Sequence, residues 1–188
     1  MNISPVILIT GASSGIGEMT ARLFASQGYR VALTARRLEK LETIASEIRA
    51  AGGEAFPFQS DVSEFISIEE MVKAVHDQYG QIDILFNNAG FGRLGWLENL
   101  DPVRDIKAQL DTNLLGMIYC SRAVLPHMIH RRQGHIINMA SIAGLVGTPT
   151  YTIYAASKFG VRGFSQALRR EVSIWGVQVS TIFPGGVE

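Results

Sequence analysis

Cysteine is almost absent: Cys120 is the single one in 188 residues, so no intrachain disulfide can form and the usage fits a reducing compartment. Long apolar runs are missing as well. No stretch approaches the roughly 18 consecutive apolar residues that a spanning helix requires, and the opening "MNISPVILIT" has neither a basic start nor the long apolar centre of a secretion signal. A cytoplasmic location is the expectation, under which the Asn2-Ile3-Ser4 glycosylation sequon is a chance match. Charge of one sign is not in excess. With 17 basic and 17 acidic residues the chain has no electrostatic bias toward nucleic acid or an anionic membrane. No linker, low-complexity tract or fixed-period repeat divides it, and the length suits one domain over 1–188 with a core that needs no staple.

What is present is an alternation. The apolar run "VILIT" at 6–10 precedes a helical pattern over 15–27, then come "YRVALTA" at 29–35 and "LEKLETIASEIRAAG". In that last piece Leu38, Leu41, Ile44 and Ile48 recur at helical spacing and Gly52 supplies a stop. "EAFPFQS" predicts a third strand, and Ser67 with Glu70 forms a capping box ahead of Met71, Val72 and Val75. "IDILFNN" at 82–88 follows, then a loop with Gly92 and Gly95, a long helix over 103–131, and "GHIINMAS" at 134–141. A helix over 155–174 and "VQVSTIFPGG" complete six βα repeats. Strands apolar on both faces and separated by helices imply an α/β fold with a doubly wound parallel sheet. In such a sheet ligands bind beyond the carboxyl ends of the strands.

Glycine and polar residues gather at those ends. In "TGASSGIG" at 10–17, Gly11 permits the turn, Gly15 lets a phosphate approach the backbone, and Gly17 lets the helix pack closely. The second strand ends in "LTARR". Folds that prefer NAD place an acidic residue there, whereas this chain has Ala35, Arg36 and Arg37, and an arginine can pair with a 2′-phosphate. "SDV" at 60–62, "NNAG" at 87–90 and "MAS" at 139–141 fall on the same edge. Asn113, inside an apolar stretch of the long helix, is either a hydrogen-bonded core amide or the holder of a water for proton transfer.

The segment "YTIYAASKFG" at 151–160 carries Tyr151 and Tyr154 upstream of Lys158. Residues four apart share a helix face, so the spacing favours Tyr154 as the partner of Lys158. An unperturbed phenol titrates near pH 10, and an adjacent ammonium stabilises the phenolate. Taken alone, such a pair is commonplace surface chemistry. His127 and His130 stand three apart, but no cysteine or carboxylate supports them as ligands and no metal is expected. The surroundings of Ser141 lack the G-x-S-x-G elbow of a hydrolase.

Together these motifs resemble the short-chain dehydrogenase/reductase family, in the branch with a TGxxxGxG cofactor loop and a YxxxK pair. "TGASSGIG", "DV", "NNAG", the helical asparagine, Ser141, "YAASK" and "PGG" occur in the family's order from residue 10 to 186. The resemblance implies a Rossmann-type domain and an NAD(P)-dependent oxidoreductase that interconverts alcohols with ketones or aldehydes. Its catalytic set would be Asn113, Ser141, Tyr154 and Lys158. Tyr154 would move the proton, Lys158 would favour the phenolate and hold the nicotinamide ribose, Ser141 would orient the substrate oxygen, and Asn113 would position a water. Tyr151 would pack at the pocket edge. NADP, with NAD as the alternate, would be held by Gly11, Ser13, Ser14, Gly15, Ile16, Gly17, Arg36, Arg37, Asp61, Val62, Asn88, Ala89, Gly90, Tyr154, Lys158, Pro184 and Gly185.

Chains of this kind continue for several dozen residues past the PG motif, so the C-terminal part that closes over the substrate is expected beyond Glu188. The pocket residues at hand, Leu94, Trp96, Leu145, Val146 and Phe183, are apolar and point to an apolar carbonyl or alcohol substrate. Leu114, Leu115, Ile118, Phe164 and Leu168 exceed what one buried face uses, and relatives pair these helices across a two-fold axis, so a homodimer or homotetramer is expected. The competing reading is a non-catalytic NADP(H)-binding regulator or sensor.

Overall fold

The computed structural model describes residues 4–186; Asn2 of the sequon and Glu188 lie outside them. Six parallel strands form one sheet: β1 (Val6–Thr10), β2 (Arg30–Ala35), β3 (Glu54–Gln59), β4 (Ile84–Asn87), β5 (Gly134–Met139) and β6 (Val177–Ile182). Their spatial order is β3-β2-β1-β4-β5-β6. Connections leave β1 in one direction and β4 in the other, so the strand order reverses between them. That switch point places a crevice beyond their carboxyl ends.

Strand periodicity distributes β1 between two cores. Val6 and Leu8 face one apolar cluster, Ile7 and Ile9 the other. Helices α1 (Gly15–Ser26) and α2 (Leu38–Ala50) cover the Ile7 face, through Ala21, Ala25, Leu41, Ile44 and Ile48. On the opposite face lie α3 (Phe65–Tyr79), α5 (Gly116–Arg131) and α6 (Thr152–Val172). Pro57 sits in β3, at the edge of the sheet, where a missing ladder N–H is tolerated.

Two local expectations are corrected. Helix α3 starts at Phe65 with Glu64 at its N-cap, so Ser67 lies within the first turn rather than capping it. The Ser67 hydroxyl turns back instead and accepts the Asp61 N–H at 3.1 Å, which fixes the bend after β3. The helix expected over 103–131 is not uniformly α. Two π turns, Pro102–Lys107 and Asp111–Leu115, bracket the short α4 (Ala108–Leu110) before α5 begins. Along this stretch Asp105, Gln109 and Asn113 are buried at four-residue intervals, and each bonds to the preceding loop rather than to solvent.

Candidate active site

The loops at the carboxyl ends of the strands enclose a cleft of about 1050 Å³. Its floor is the glycine loop between β1 and α1. Gly11 and Gly15 have φ of 66° and 57°, backbone that an L side chain rarely adopts. A Cβ at Gly11 would stand 2.7 Å from the Ala89 Cα, and one at Gly17 would stand 2.5 Å from the Gly11 carbonyl. A Cβ at Gly15 would meet no atom within 4 Å, so that turn faces open space. Ser14 at the α1 N-cap makes no capping bond from its side chain, which leaves the first-turn N–H groups for an anion. Asn88 secures the loop by donating its amide hydrogens to the Thr10 and Gly11 carbonyls at 3.0 and 3.2 Å. The Thr10 hydroxyl accepts from the N–H groups of Asn88 and Ala89, both at 3.1 Å.

At one end of the cleft Arg36 and Arg37 follow β2. Arg37 donates to the hydroxyls of Ser13 and Ser14 at 2.8 and 3.1 Å, which parks a guanidinium on the glycine loop. Asp61 and Val62 form the adjoining wall. The Asp61 carboxylate accepts from the Ser63 N–H and hydroxyl at 3.0 and 2.7 Å, an Asx turn that holds the wall in place.

The other end holds Tyr154, Lys158 and Ser141. Helix α6 begins at Thr152, so Tyr154 and Lys158 lie on it one turn apart, with Tyr151 at its cap. The Lys158 ammonium stands 5.6 Å from the Tyr154 ring centre and donates to the Met139 carbonyl, the last of β5, at 2.8 Å. Lys158 is 4% exposed, and that burial pulls its pKa down to about 8. Tyr151 and Tyr154 meet edge to face, ring centres 6.2 Å apart. Ser141 is delivered by the turn after β5; its oxygen accepts the Ala143 N–H at 3.2 Å, and the hydroxyl hydrogen is left to donate into the cleft. Gly144, whose Cβ would stand 2.7 Å from the Lys158 carbonyl, allows this turn to pack on α6.

Asn113 sits beneath the cleft. Its side-chain oxygen accepts the Phe91 N–H at 2.9 Å, and its amide donates to the Phe91 carbonyl at 2.8 Å and to the Ser157 hydroxyl at 3.3 Å. Both amide hydrogens are thereby used within the protein, as the core-amide alternative expects. Ser157 passes the link on to the Tyr154 carbonyl at 2.7 Å.

Of the expected cofactor residues, all but Gly15 and Gly17 line the cleft; those two shape the turn from behind. The apolar set divides. Leu94 and Val146 line the cleft, whereas Trp96 and Leu145 do not, and Phe183 packs against the Met117–Val161 cluster. Strand and loop ends scatter such side chains to either side, and apolarity alone carries no direction. Thr112, Phe91, Ile142, Ala143 and Thr148 also line the cleft; the first four adjoin Asn113, "NNAG" and "MAS" in the sequence, whereas no sequence signal marks Thr148. His127 stacks on His76, ring centres 4.9 Å apart. Among the described residues no three metal-ligating side chains cluster. The glycine cradle, the uncapped helix N-terminus and the paired arginines fit a nicotinamide dinucleotide bearing phosphates.

A family model described as short chain dehydrogenase matches residues 5–188. The 3-oxoacyl-[acyl-carrier-protein] reductase of Staphylococcus aureus is 37% identical over 186 residues, which cover 98% of this chain and 75% of that protein. Among solved structures, a variant actinorhodin polyketide ketoreductase with NADPH superposes with a TM-score of 0.95 at 40% identity, over 98% of this chain and 71% of that one. A metagenomic short-chain oxidoreductase in complex with NADP gives a TM-score of 0.93 at 39% identity, over 100% of this chain and 85% of that one. The chain spans between 66% and 75% of the length of the first curated relatives it matches. A short-chain dehydrogenase/reductase from Burkholderia phymatum, 32% identical with a TM-score of 0.94 over 98% of this chain and 66% of that one, is in complex with NAD.

Proposed function

The chain belongs to the short-chain dehydrogenase family, and on that premise we propose that it is an NADPH-preferring carbonyl reductase. The observation that carries this reading is the convergence of Ser141, Tyr154 and Lys158 on the same cleft as Arg36 and the glycine loop. When bound, the nicotinamide supplies the hydride or takes it up in reverse. Tyr154 gives its phenolic proton to the substrate oxygen as the C=O double bond becomes a single bond. The free hydroxyl hydrogen of Ser141 orients that oxygen. Lys158, anchored on the Met139 carbonyl, keeps positive charge beneath the phenol at neutral pH, because burial lowers its pKa only to about 8. Asn113 positions Phe91 and, through Ser157, the turn of α6 that bears Tyr154.

Arg36 supports the phosphate-bearing cofactor, and the absence of a carboxylate at Ala35 removes the usual recognition of ribose hydroxyls. A 3-oxoacyl thioester is the substrate class to try first, since relatives at 37% and 40% identity are named for 3-oxoacyl and polyketide reduction. A homodimer or homotetramer also belongs to this reading. Leu115 and Phe159 are 38% and 42% exposed on adjoining helices. Leu168, by contrast, is 6% exposed in the monomer's own core and is unavailable to a partner. The single buried Cys120 fits a reducing cytoplasm, and among the described residues no helix is long and apolar enough to cross a membrane.

The test is oxidation of NADPH, followed by absorbance, with an acetoacetyl thioester and a panel of ketones and aldehydes. Turnover that Tyr154→Phe abolishes is the expected result. Tight NADPH binding with no turnover on any carbonyl would turn the reading into that of a cofactor sensor.

A further inference from the structure

The loop that runs from Gly90 to Asp101 is held from two sides. On one side stands the polar stripe of the π-turned helix. Gln109, fully buried, accepts the Arg93 N–H at 2.9 Å. One turn earlier, Asp105 accepts the Asp101 N–H at 3.1 Å and takes a paired contact from Arg104 at 2.8 and 2.6 Å. On the other side stands the substrate end of the cleft. The Gly95 N–H donates to the Thr150 carbonyl at 3.0 Å, and a Cβ on Gly92 would lie 3.6 Å from the Tyr154 ring. Thr150 itself has φ of 67°, a left-handed conformation that a β-branched residue adopts only under constraint from its surroundings.

We infer that Gln109, assisted by Asp105, is a positioning residue for the substrate side of the cleft: it pins the 91–97 loop so that the loop packs on Tyr154 and braces Thr150 at the start of α6. This rests on the reductase reading for its catalytic consequence, but not for the clamp itself. A buried glutamine is rarely an economical core residue, because both ends of its amide need partners. Here its oxygen serves the Arg93 N–H, while its nitrogen has only a long 3.4 Å contact to the Asp105 carbonyl. An aliphatic side chain would fill the same space and strand the loop N–H. The π turns fit this role, since the wider coil lets the stripe of Asp105, Gln109 and Asn113 face one loop.

The clamp is read without turnover through Trp96, which lies in the loop. In a Trp175→Phe background Trp96 is the only remaining tryptophan, and its emission anisotropy reports loop mobility. Gln109→Leu should lower the anisotropy and raise the KM for the carbonyl substrate about tenfold, the scale of one buried N–H left unpaired. The Kd for NADPH should stay within about twofold of wild type, because neither Gln109 nor Arg93 lines the cleft itself. Gln109→Glu keeps an acceptor oxygen and should restore anisotropy and KM. Wild-type anisotropy in Gln109→Leu overturns the clamp, as does an equal weakening of NADPH binding. If Gln109→Leu does not fold, the same bond is cut from the exposed side. Arg93→Pro deletes the donor and should lower the anisotropy, whereas Arg93→Ala keeps the N–H and should not; equal anisotropy in the two overturns the proposal. A protein that reduces no carbonyl defeats the reductase reading and leaves the anisotropy result to decide the clamp.

Discussion

The halves of the sheet are built from different interiors. From β1 to β3 the buried polar groups are small hydroxyls, Thr10, Ser13, Thr34 and Ser60. From β4 onward the interior holds Asn87, Asp105, Gln109, Asn113, Asn138 and Lys158. In the proposed reductase the first half would present backbone N–H groups to the cofactor, which needs only a rigid apolar platform beneath them. The second half would have to aim side chains, and it carries amides and a lysine whose burial is costly unless they are bonded. Asn87 donates to Asn138 at 2.9 Å and Asn138 donates to Ser165 at 2.9 Å, which ties β4, β5 and α6 together.

Substitutions that separate chemistry from packing sharpen this contrast, and the largest effect belongs to the second half. Tyr154→Phe preserves ring volume and should lower the carbonyl reduction rate by about 10²- to 10⁴-fold with NADPH still bound. Tyr151→Phe should lose far less. Rate against pH for both variants, with cofactor binding followed by fluorescence, assigns the roles. If Tyr151→Phe is the one that abolishes reduction, the wrong tyrosine has been chosen.

In the first half the corresponding lesion is a cavity. Leu33 is fully buried between β1 and β3, and Leu33→Ala should lower the unfolding free energy by roughly 2–5 kcal/mol. Urea denaturation measures it. The rate constant per folded molecule should stay near wild type; a collapse of that rate would show that the platform and the chemistry are not separable.

Cofactor choice comes next in size. Arg36→Asp should reverse the ranking of NADPH over NADH, with a change of about tenfold or more in relative affinity, as expected for loss of one charge-assisted bond. Isothermal titration with each cofactor decides it, and equal, unchanged affinities would remove the role given to Arg36.

The smallest effect runs against intuition. Burial holds the Lys158 pKa at about 8, below the ordinary 10.5, so between those values the unfolded chain binds more protons and stability rises with pH. Below pH 8 the full penalty of the buried charge is present, at most about 3 kcal/mol. Lys158→Met removes it while forfeiting the bond to the Met139 carbonyl, about 1 kcal/mol. The cofactor-free variant should therefore be the more stable by about 1–2 kcal/mol at pH 7, with the gap narrowing toward pH 10. Its activity and cofactor affinity should both fall. Urea melts at the two pH values give the answer, and a variant less stable at pH 7 would show that the Met139 bond outweighs the buried charge.

Much of this architecture was legible along the chain. Apolar runs at strand spacing, helical periodicities such as Leu41, Ile44 and Ile48, and glycines at turns are local signals, and the six strands formed where their own residues favour them. The placement of the proposed catalytic residues was legible for the same reason: Tyr154 and Lys158 meet across one helical turn, and Ser141 sits where a strand ends. Only tertiary structure decided the rest. Ser67 serves a bend instead of a helix cap because Asp61 lies within its reach. Trp96, Leu145 and Phe183 turn away from the cleft, and Leu168 is taken into the core. Asn113 and Gln109 spend their amides on a loop some 16 to 22 residues upstream. Those outcomes depend on which backbone groups arrive beside a side chain after the sheet has assembled. Periodicity shows that a residue is buried; it does not show what hydrogen bond the burial obliges it to make.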